Sequence, residues 1–148
     1  MKKIVFLLAI VLFTLTTIGQ KVSPDKLPAS VAASFKSKYP TAGKVNWQLA
    51  NANEYRANFV MKKTLKSAIF GVDGSWRQTE TQLKTIELPK IIRQSVSKQF
   101  IGYAIKRALK IEKKEGASIY EVLIKKATKS FSVTYAITGE MLRKREGM

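Results

Sequence analysis

The sequence contains no cysteine and no histidine. The absence of cysteine excludes disulfides, thiolate nucleophiles and thiolate metal sites. The absence of histidine excludes imidazole bases, His-containing triads and the imidazole ligands usual for zinc, copper and non-haem iron. Acid, amine, hydroxyl and oxygen-ligand chemistry remains, and we predict a protein that carries no cofactor and no metal.

Acidic residues are also scarce. The chain of 148 residues has 10 acids against 27 basic residues, a formal charge of +17. Residues 1–19 hold two lysines and no acid, so their removal would leave 25 − 10 = +15. Such an excess attracts polyanions and anionic membrane surfaces at low salt, and it also keeps a protein soluble. The lysines are dispersed along the chain, which favours an ordinary solvated surface.

The one long apolar run follows two lysines at the start of the chain, from Ile4 to Ile18. It is about 15 residues long, whereas a helix that crosses a bilayer needs ~20. The small residue Gly19 follows, and this layout is typical of a secretory signal peptide. We therefore predict a signal peptide over residues 1–19 and a periplasmic or secreted protein with no transmembrane anchor after cleavage. A retained signal anchor is the alternative.

A polar leader, residues 20–26, precedes a unit that we assign to residues 27–87. Leu27, Val31, Phe35 and Tyr39 recur every four residues and predict one apolar stripe of a helix that ends before a proline. Alternating apolar and polar residues then predict strands, and a late Asp-Gly pair suits a tight hairpin. The unit is predicted to be one helix followed by a four-stranded antiparallel meander.

The same pattern returns over residues 88–148. Leu88, Ile92, Val96 and Phe100 repeat the helical stripe at an offset of 61 residues, and Gly139 matches the hairpin glycine Gly74 at an offset of 65. The offset grows where a loop lengthens. We predict an α+β fold of two tandem repeats, each a helix plus a four-stranded antiparallel sheet, with the helices on one sheet face. Whether all eight strands join into one sheet stays open.

Four segments of the first unit carry a resemblance: LPASVAASFKSKYP, VNW, YRANF and FGVDGSW. Together they resemble the PepSY-like, β-lactamase-inhibitor-like exported proteins of Bacteroidetes-type bacteria, over about residues 27–146. The second unit lacks the Tyr-Pro pair and both tryptophans. The resemblance implies a periplasmic or secreted, non-enzymatic module. Similar domains in peptidase propeptides restrain proteases, so a peptidase-inhibitor-like role is among those implied. It supplies no binding residues.

No set of residues predicts an active site. The carboxylate pairs Glu112 with Glu115 and Glu80 with Glu87 lie in a charged turn and a connector, where exposed carboxylates are ordinary. Asp73 lacks the further oxygen ligands that a calcium site needs and fits a hairpin turn instead. Ser97 and Lys98 are adjacent, and adjacent helical residues do not face one another. We predict that the protein is not an enzyme.

A binding surface is the more plausible kind of site. The aromatic residues of the first unit either pack in the core, which strand phase favours, or stack on a ligand. For Trp76, beside Arg77, the question stays open because its strand is polar on both sides. The sheet face opposite the helices is predicted to be flat, polar and basic. The candidate binding residues are Lys44, Asn46, Gln48, Arg56, Asn58, Lys66, Trp76, Arg77, Lys106 and Lys110.

Two functions follow. The first is recognition of a periplasmic or secreted protein partner through the polar sheet face or a strand edge. The alternative is binding of an anionic envelope polymer, such as lipopolysaccharide or an acidic glycan, or of another polyanion, without specific recognition of nucleic acid. Binding of the second kind falls steeply with salt, because it is driven by counterion release.

Overall fold

The computed structural model describes residues 19–147, so the predicted signal peptide lies outside the described residues except for Gly19. Within this range the chain forms nine strands and two α-helices, α1 (Ala29–Lys38) and α2 (Lys90–Gln99). Neither helix has the length and apolar content needed to span a membrane. The strands are β1 (Lys21–Val22), β2 (Asn46–Asn51), β3 (Glu54–Met61), β4 (Thr64–Gly71), β5 (Trp76–Leu83), β6 (Ala104–Lys113), β7 (Ile119–Lys126), β8 (Lys129–Ala136) and β9 (Met141–Glu146).

The strands form one open antiparallel sheet in which the spatial order equals the sequence order. The predicted α+β class with an antiparallel sheet is confirmed. The number of strands differs from the prediction, because part of the polar leader joins the sheet as β1, where Lys21 and Val22 pair with Gln48 and Trp47. Six residue pairs between β5 and β6 join the strands that follow α1 to those that follow α2.

Helix α1 packs the predicted stripe against β2–β5. Pro28 stands at its N-terminal cap, where no intrahelical N–H partner is required, and the helix ends at Tyr39, before Pro40. Phe35 is the centre of the packing, because its ring lies 5.1 Å from that of Trp47 and 5.0 Å from that of Phe59. We call the buried residues here the first core: Val31, Phe35, Tyr39, Trp47, Ala57, Phe59, Ala68 and Phe70.

Helix α2 packs in the same way against β6–β8. Its stripe residues Ile92 and Val96 are 0% and 2% exposed, and Phe100 packs at the margin. The facing strands contribute small and branched side chains together with two tyrosines. We call the buried residues here the second core: Leu88, Ile92, Val96, Ala108, Tyr120, Val122, Ile124, Val133 and Tyr135.

Strand β5 shows that both helices cover the same face of the sheet. Side chains two residues apart in a strand share a face. Thr79 contacts the Tyr39 hydroxyl at the end of α1, whereas Leu83 packs against the second core. Both cores therefore lie on one face, as predicted, and we call the opposite surface the helix-free face.

A bulge in β6 changes which side chains reach which face. Ile105 pairs with Ile124, but Arg107 pairs with Leu123, so Lys106 is the extra residue. Regular alternation along the sequence would place Ile105, Leu109 and Ile111 in one apolar row, and the bulge divides that row. Ile105 packs with the second core, whereas the other two pair with partners on the helix-free face, because one extra residue inverts the alternation of a strand.

The two edges of the sheet are unlike. Strand β1 has only two residues, whereas β9 has six, all of them exposed. Strand β9 carries Arg143, Lys144 and Arg145 in succession and, among the described strands, pairs with β8 alone. Short edges and charged edges are the usual protections against pairing with a second sheet.

Candidate binding face

The helix-free face contains the central part of the predicted binding residues. Asn46 pairs with Asn58, and Gln48 pairs with Arg56, while the alternate pair, Trp47 with Ala57, lies in the first core. The four polar side chains therefore share the face away from the helices, as the alternation predicts. Lys44 precedes β2 and lies exposed at the margin of this surface.

Three predicted residues lie on the other face. Lys66 and Lys110 both pair with Thr81, in phase with Thr79 and Leu83, and therefore share the face of the two helices. Trp76 packs against the first core. The placement of Lys66 and Lys110 on the helix-free face was wrong, because the sheet is wider than the two helices cover and the uncovered strip between the cores accepts polar side chains. For Trp76, whose setting the sequence left open, packing in the core is the outcome.

The polar side chains in this strip form hydrogen bonds and ion pairs with one another. The Lys66 ammonium donates to Thr81 Oγ1 at 2.8 Å, and Lys110 Nζ lies 3.0 Å from Glu112 Oε1. Burial lowers the pKa of Lys66, and the nearby Lys110 charge acts in the same direction. The lysines of the strip are therefore paired locally, Lys66 with the neighbouring strand and Lys110 within its own, while the β5–β6 backbone pairing joins the two cores.

Trp76 and Tyr39 also belong to this strip. The indole Nε1 donates to Thr79 Oγ1 at 2.9 Å, and the Lys38 ammonium lies 3.9 Å from the centre of the Trp76 ring. Burial raises the pKa of Tyr39, whose hydroxyl contacts the same threonine. The indole is thus engaged by its own chain through its N–H group and one ring face, which favours packing over a stacking platform.

Arg77 and Lys106 share a different setting. Each is the extra residue of a bulge, and each side chain is exposed. The Arg77 Nε atom lies 3.6 Å from Glu54 Oε1. A bulge directs a side chain away from the regular alternation of a strand, so these two residues do not extend the row formed by Arg56 and its neighbours.

The helix-free face is less basic than predicted, because Lys66 and Lys110 lie on the other face and carboxylates accompany two of its arginines. Arg56 Nη1 donates to Ser67 Oγ at 2.8 Å and lies 3.3 Å from Glu80 Oε2. At the far side of the sheet, Arg145 Nη2 lies 3.1 Å from Glu121 Oε2. These partly exposed pairs contribute little stability each, but they neutralise the surface locally.

A groove of about 550 Å³ crosses the middle of this face. Its apolar lining comes from Val60, Leu65, Leu109 and Ile111, on β3, β4 and β6. Val60 and Leu65 are a cross-strand pair and are 46% and 57% exposed. Charged residues of both signs on the helix-free side line the same groove: Lys44, Glu80, Arg107 and Glu121.

The sequence alone does not reveal this groove, because regular alternation would place Leu109 and Ile111 in one row with the core-packed Ile105. Arg107 was the available signal, since a charged residue in phase with Leu109 and Ile111 indicates a row that faces solvent. For Val60 and Leu65 the signal was their position opposite the core residues Phe59 and Phe70 in the alternation. Solvent-exposed apolar side chains around a groove are a more informative observation than polar residues on a wet sheet.

The residues considered for catalysis have structural partners. Glu80 pairs with Arg56, and the Glu87 carboxylate accepts a hydrogen bond from the backbone N of Lys84 at 2.6 Å. Asp73 accepts hydrogen bonds from the Ser75 backbone and hydroxyl, which lower its pKa and hold the turn. Within residues 19–147, no three His, Cys, Asp or Glu side chains gather to hold a metal ion.

An open antiparallel sheet with two helices on one face and a groove on the other defines the class of fold. A family model described as "Putative beta-lactamase-inhibitor-like, PepSY-like" matches residues 53–143. The match covers more than half of the chain, which therefore belongs to this PepSY-like family. The resemblance predicted from the motif residues is confirmed. A comparison with curated proteins gives no match.

Solved structures from Bacteroides share the fold. A DUF2874 family protein from Bacteroides uniformis has a TM-score of 0.76 at 24% identity, covering 80% of this chain and 88% of its own. A structure described as "putative periplasmic proteins", from Bacteroides eggerthii, has a TM-score of 0.75 at 23% identity, with the same coverage of 80% and 88%. A BLIP-like protein from Bacteroides fragilis has a TM-score of 0.70 at 18% identity, covering 79% and 84%.

Proposed function

We propose that this protein is an exported, non-enzymatic binding module that recognises a protein partner in the groove of its helix-free face. The groove carries the proposal, because it combines an apolar lining with charges of both signs. Protein interfaces have this composition, with an apolar centre surrounded by a polar rim. The complementary partner segment has apolar side chains at its tip, flanked by both acidic and basic residues.

This composition favours a protein over a polyanion. A phosphate or carboxylate polymer gains nothing from Val60, Leu65, Leu109 and Ile111, and it is repelled by acidic side chains such as Glu80. Arg56, one of the arginines that would attract a polyanion to this face, has a carboxylate partner. The anionic envelope polymer therefore remains the alternative and becomes one outcome of the test.

The other features of the proposal concern organisation and location. Each helix is followed by four strands and has its own core, which supports two tandem repeats over residues 27–87 and 88–148. Export rests on the leader-like residues 1–19, and the description of the Bacteroides eggerthii structure supports a periplasmic location. The family description supports an inhibitor-like role, with a periplasmic or secreted enzyme as the partner.

The test compares wild-type protein with Leu109→Gln, which removes an apolar side chain from the groove. Tagged proteins would be exposed to envelope and secreted fractions, and proteins retained at 200 mM salt would be quantified. We expect a stoichiometric partner whose affinity falls at least about tenfold in Leu109→Gln, a cost typical of a residue at the centre of an interface.

The matched control is Ile137→Gln, the same kind of change at an exposed residue in the β8–β9 turn. This variant should retain the partner at wild-type affinity. Equal loss in both variants would contradict recognition in the groove. Retention that collapses between about 50 and 200 mM salt and is indifferent to Leu109→Gln would favour the polyanion alternative instead.

A further inference from the structure

One end of the sheet collects lysines from several connections. In an antiparallel meander, the β3–β4 hairpin, the β5–α2 connection, the start of β6 and the β7–β8 hairpin all lie at the same end. We call it the lysine end and define it by six lysines: Lys62, Lys63, Lys84, Lys125, Lys126 and Lys129. In the described connections from β3 to β8 at this end, the acidic residue is Glu87. Its carboxylate accepts a hydrogen bond from the Lys84 backbone N–H.

The opposite end has a different charge. Its turns, residues 52–53, 72–75, 114–118 and 137–140, contain Asp73, Glu115 and Glu140 against the single base Lys114. Dispersed along the sequence, the lysines gave no sign of clustering, and it is the strand order that gathers them. The acidic residues of these turns therefore lie at the end away from the six lysines. At the lysine end, the acidic neighbour on β9 is Glu146, beside Lys129.

The chain holds these lysines together at a local energetic cost. Lys62 and Lys63 form the hairpin turn with φ of 51° and 61°, in the left-handed region that suits Asn and Gly. Lys126 and Lys129 face each other directly across β7 and β8, where like charges repel. None of the six lysines takes part in an ion pair with another described residue, so no carboxylate in that part of the chain offsets the repulsion.

Two protruding isoleucines stand among the lysines. Ile86 lies in the β5–α2 connection and is 71% exposed, and Ile101 lies in the turn before β6 and is 78% exposed. The ammonium of Lys126 donates to the carbonyl oxygen of Ile101 at 3.3 Å, which places a positive charge beside the apolar side chain. A recess of about 470 Å³ lies between Lys62, Lys63 and Lys84.

From this arrangement we propose that the lysine end docks on the surface of an anionic phospholipid bilayer. Lysines bind the negatively charged headgroups, and the isoleucine tips enter the boundary between headgroups and acyl chains. A soluble polyanion matches the lysines but gives no reason for apolar side chains to protrude between them. The recess shares Leu65 and Gln82 with the groove on the helix-free face. The six lysines and two isoleucines themselves are not groove residues, so this site is additional to the proposed partner site.

The experiment measures sedimentation with vesicles of phosphatidylglycerol and phosphatidylcholine in equal amounts, or of phosphatidylcholine alone. The chain from Gln20 onward is used, because every described helix and strand and both cores lie within it. We expect binding to the mixed vesicles at 50 mM salt and at least tenfold weaker partitioning to phosphatidylcholine. Ile86→Ser combined with Ile101→Ser should weaken partitioning at least fivefold while leaving binding of soluble polyphosphate unchanged.

Two variants separate charge from folding. Lys62→Asn combined with Lys63→Gly removes two charges but relieves the turn, so it should bind the mixed vesicles less while melting at a higher temperature. Lys113→Gln combined with Lys114→Gln removes the same charge toward the opposite end and should bind within twofold of wild type. The proposal is overturned if mixed vesicles are not bound, if the opposite-end variant loses as much, or if the isoleucine variant partitions like wild type.

Discussion

At the scale of single residues, two glycines hold the hairpin turns against the helices. Gly74 has φ of 80°, and a Cβ atom there would lie 2.6 Å from the Ser30 carbonyl oxygen in α1. Gly139 has φ of 84°, and its Cβ would lie 2.8 Å from Ile91 Cγ1 in α2. The two turns therefore need glycine for both backbone conformation and space, which explains why the sequence motif keeps this residue in both units.

Gly74→Ala should destabilise the protein by about 2–4 kcal/mol, because it adds left-handed strain to a clash with helix backbone that cannot easily move. Gly116→Ala is the matched control, since Gly116 has φ of 89° but open space around it. This control should cost only about 1 kcal/mol. Urea unfolding of both variants measures the difference, and equal costs would show that the contact with Ser30 does not matter.

At the scale of elements, the β3–β4 hairpin has a turn conformation that is unfavourable for the two residues that occupy it. Two lysines occupy left-handed positions between Met61 and Thr64, where the backbone twist of a two-residue hairpin suits Asn-Gly. Strain of this kind persists only when the surrounding structure enforces it. Here the eight residue pairs between β3 and β4 enforce the turn.

Lys62→Asn combined with Lys63→Gly should raise the free energy of unfolding by about 1–2 kcal/mol, through relief of the turn. Charge removal alone is controlled by Lys113→Gln combined with Lys114→Gln, which leaves turn geometry unaltered at the β3–β4 hairpin. Thermal melts at matched salt compare the two. If both raise the midpoint equally, the gain comes from reduced charge repulsion rather than from the backbone.

The elements also show how far the sequence determines the structure. Both helices and their apolar stripes were predictable, because apolar residues recur every four positions in each. Val31 and Phe35 in α1 and Ile92 in α2 are buried as that period predicts. Hairpin glycines were predictable because positive φ restricts the residue type. The bulge at Lys106 was not predictable, since a single extra residue leaves no periodic signal. It nevertheless moves the side chains of Leu109 and Ile111 to the opposite face of the sheet.

The candidate site was only partly predictable for the same reason. Asn46, Gln48, Arg56 and Asn58 follow from regular alternation in β2 and β3. Their ion-pair partners, such as Glu80, depend on strands that are distant in sequence, and so does the apolar groove. The position of Lys66 depends on how much of the sheet the helices cover, a quantity set by packing in three dimensions.

At the scale of the whole molecule, the β5–β6 pairing makes two cores into one cooperative structure. Six residue pairs bridge the boundary, and Tyr39, Thr79, Lys66 and Thr81 hydrogen-bond in the strip between the cores. Loss of one core exposes an edge of the sheet to which the other is joined. We expect the chain to unfold in a single transition, as small domains usually do.

Ile92→Ala tests this coupling, because Ile92 lies in the second core whereas both tryptophans belong to the first. The cavity should cost about 3 kcal/mol and should lower the midpoint measured by tryptophan fluorescence as much as the midpoint measured by circular dichroism. The exposed neighbour Ile91→Ala is the control and should change both midpoints little. If Ile92→Ala leaves the midpoint measured by tryptophan fluorescence unchanged, the two cores unfold independently.

The final strand has a consequence for how copies of this protein behave in a crowded compartment. Two molecules that approached through β9 would oppose Arg143, Lys144 and Arg145 with the same residues of the other copy. Because charges interact over a screening length of about 8 Å at physiological salt, the two strands would repel each other before backbone hydrogen bonds formed between them. Fibre-like stacking is thereby disfavoured, while an incoming segment rich in aspartate or glutamate would meet attraction at the same border.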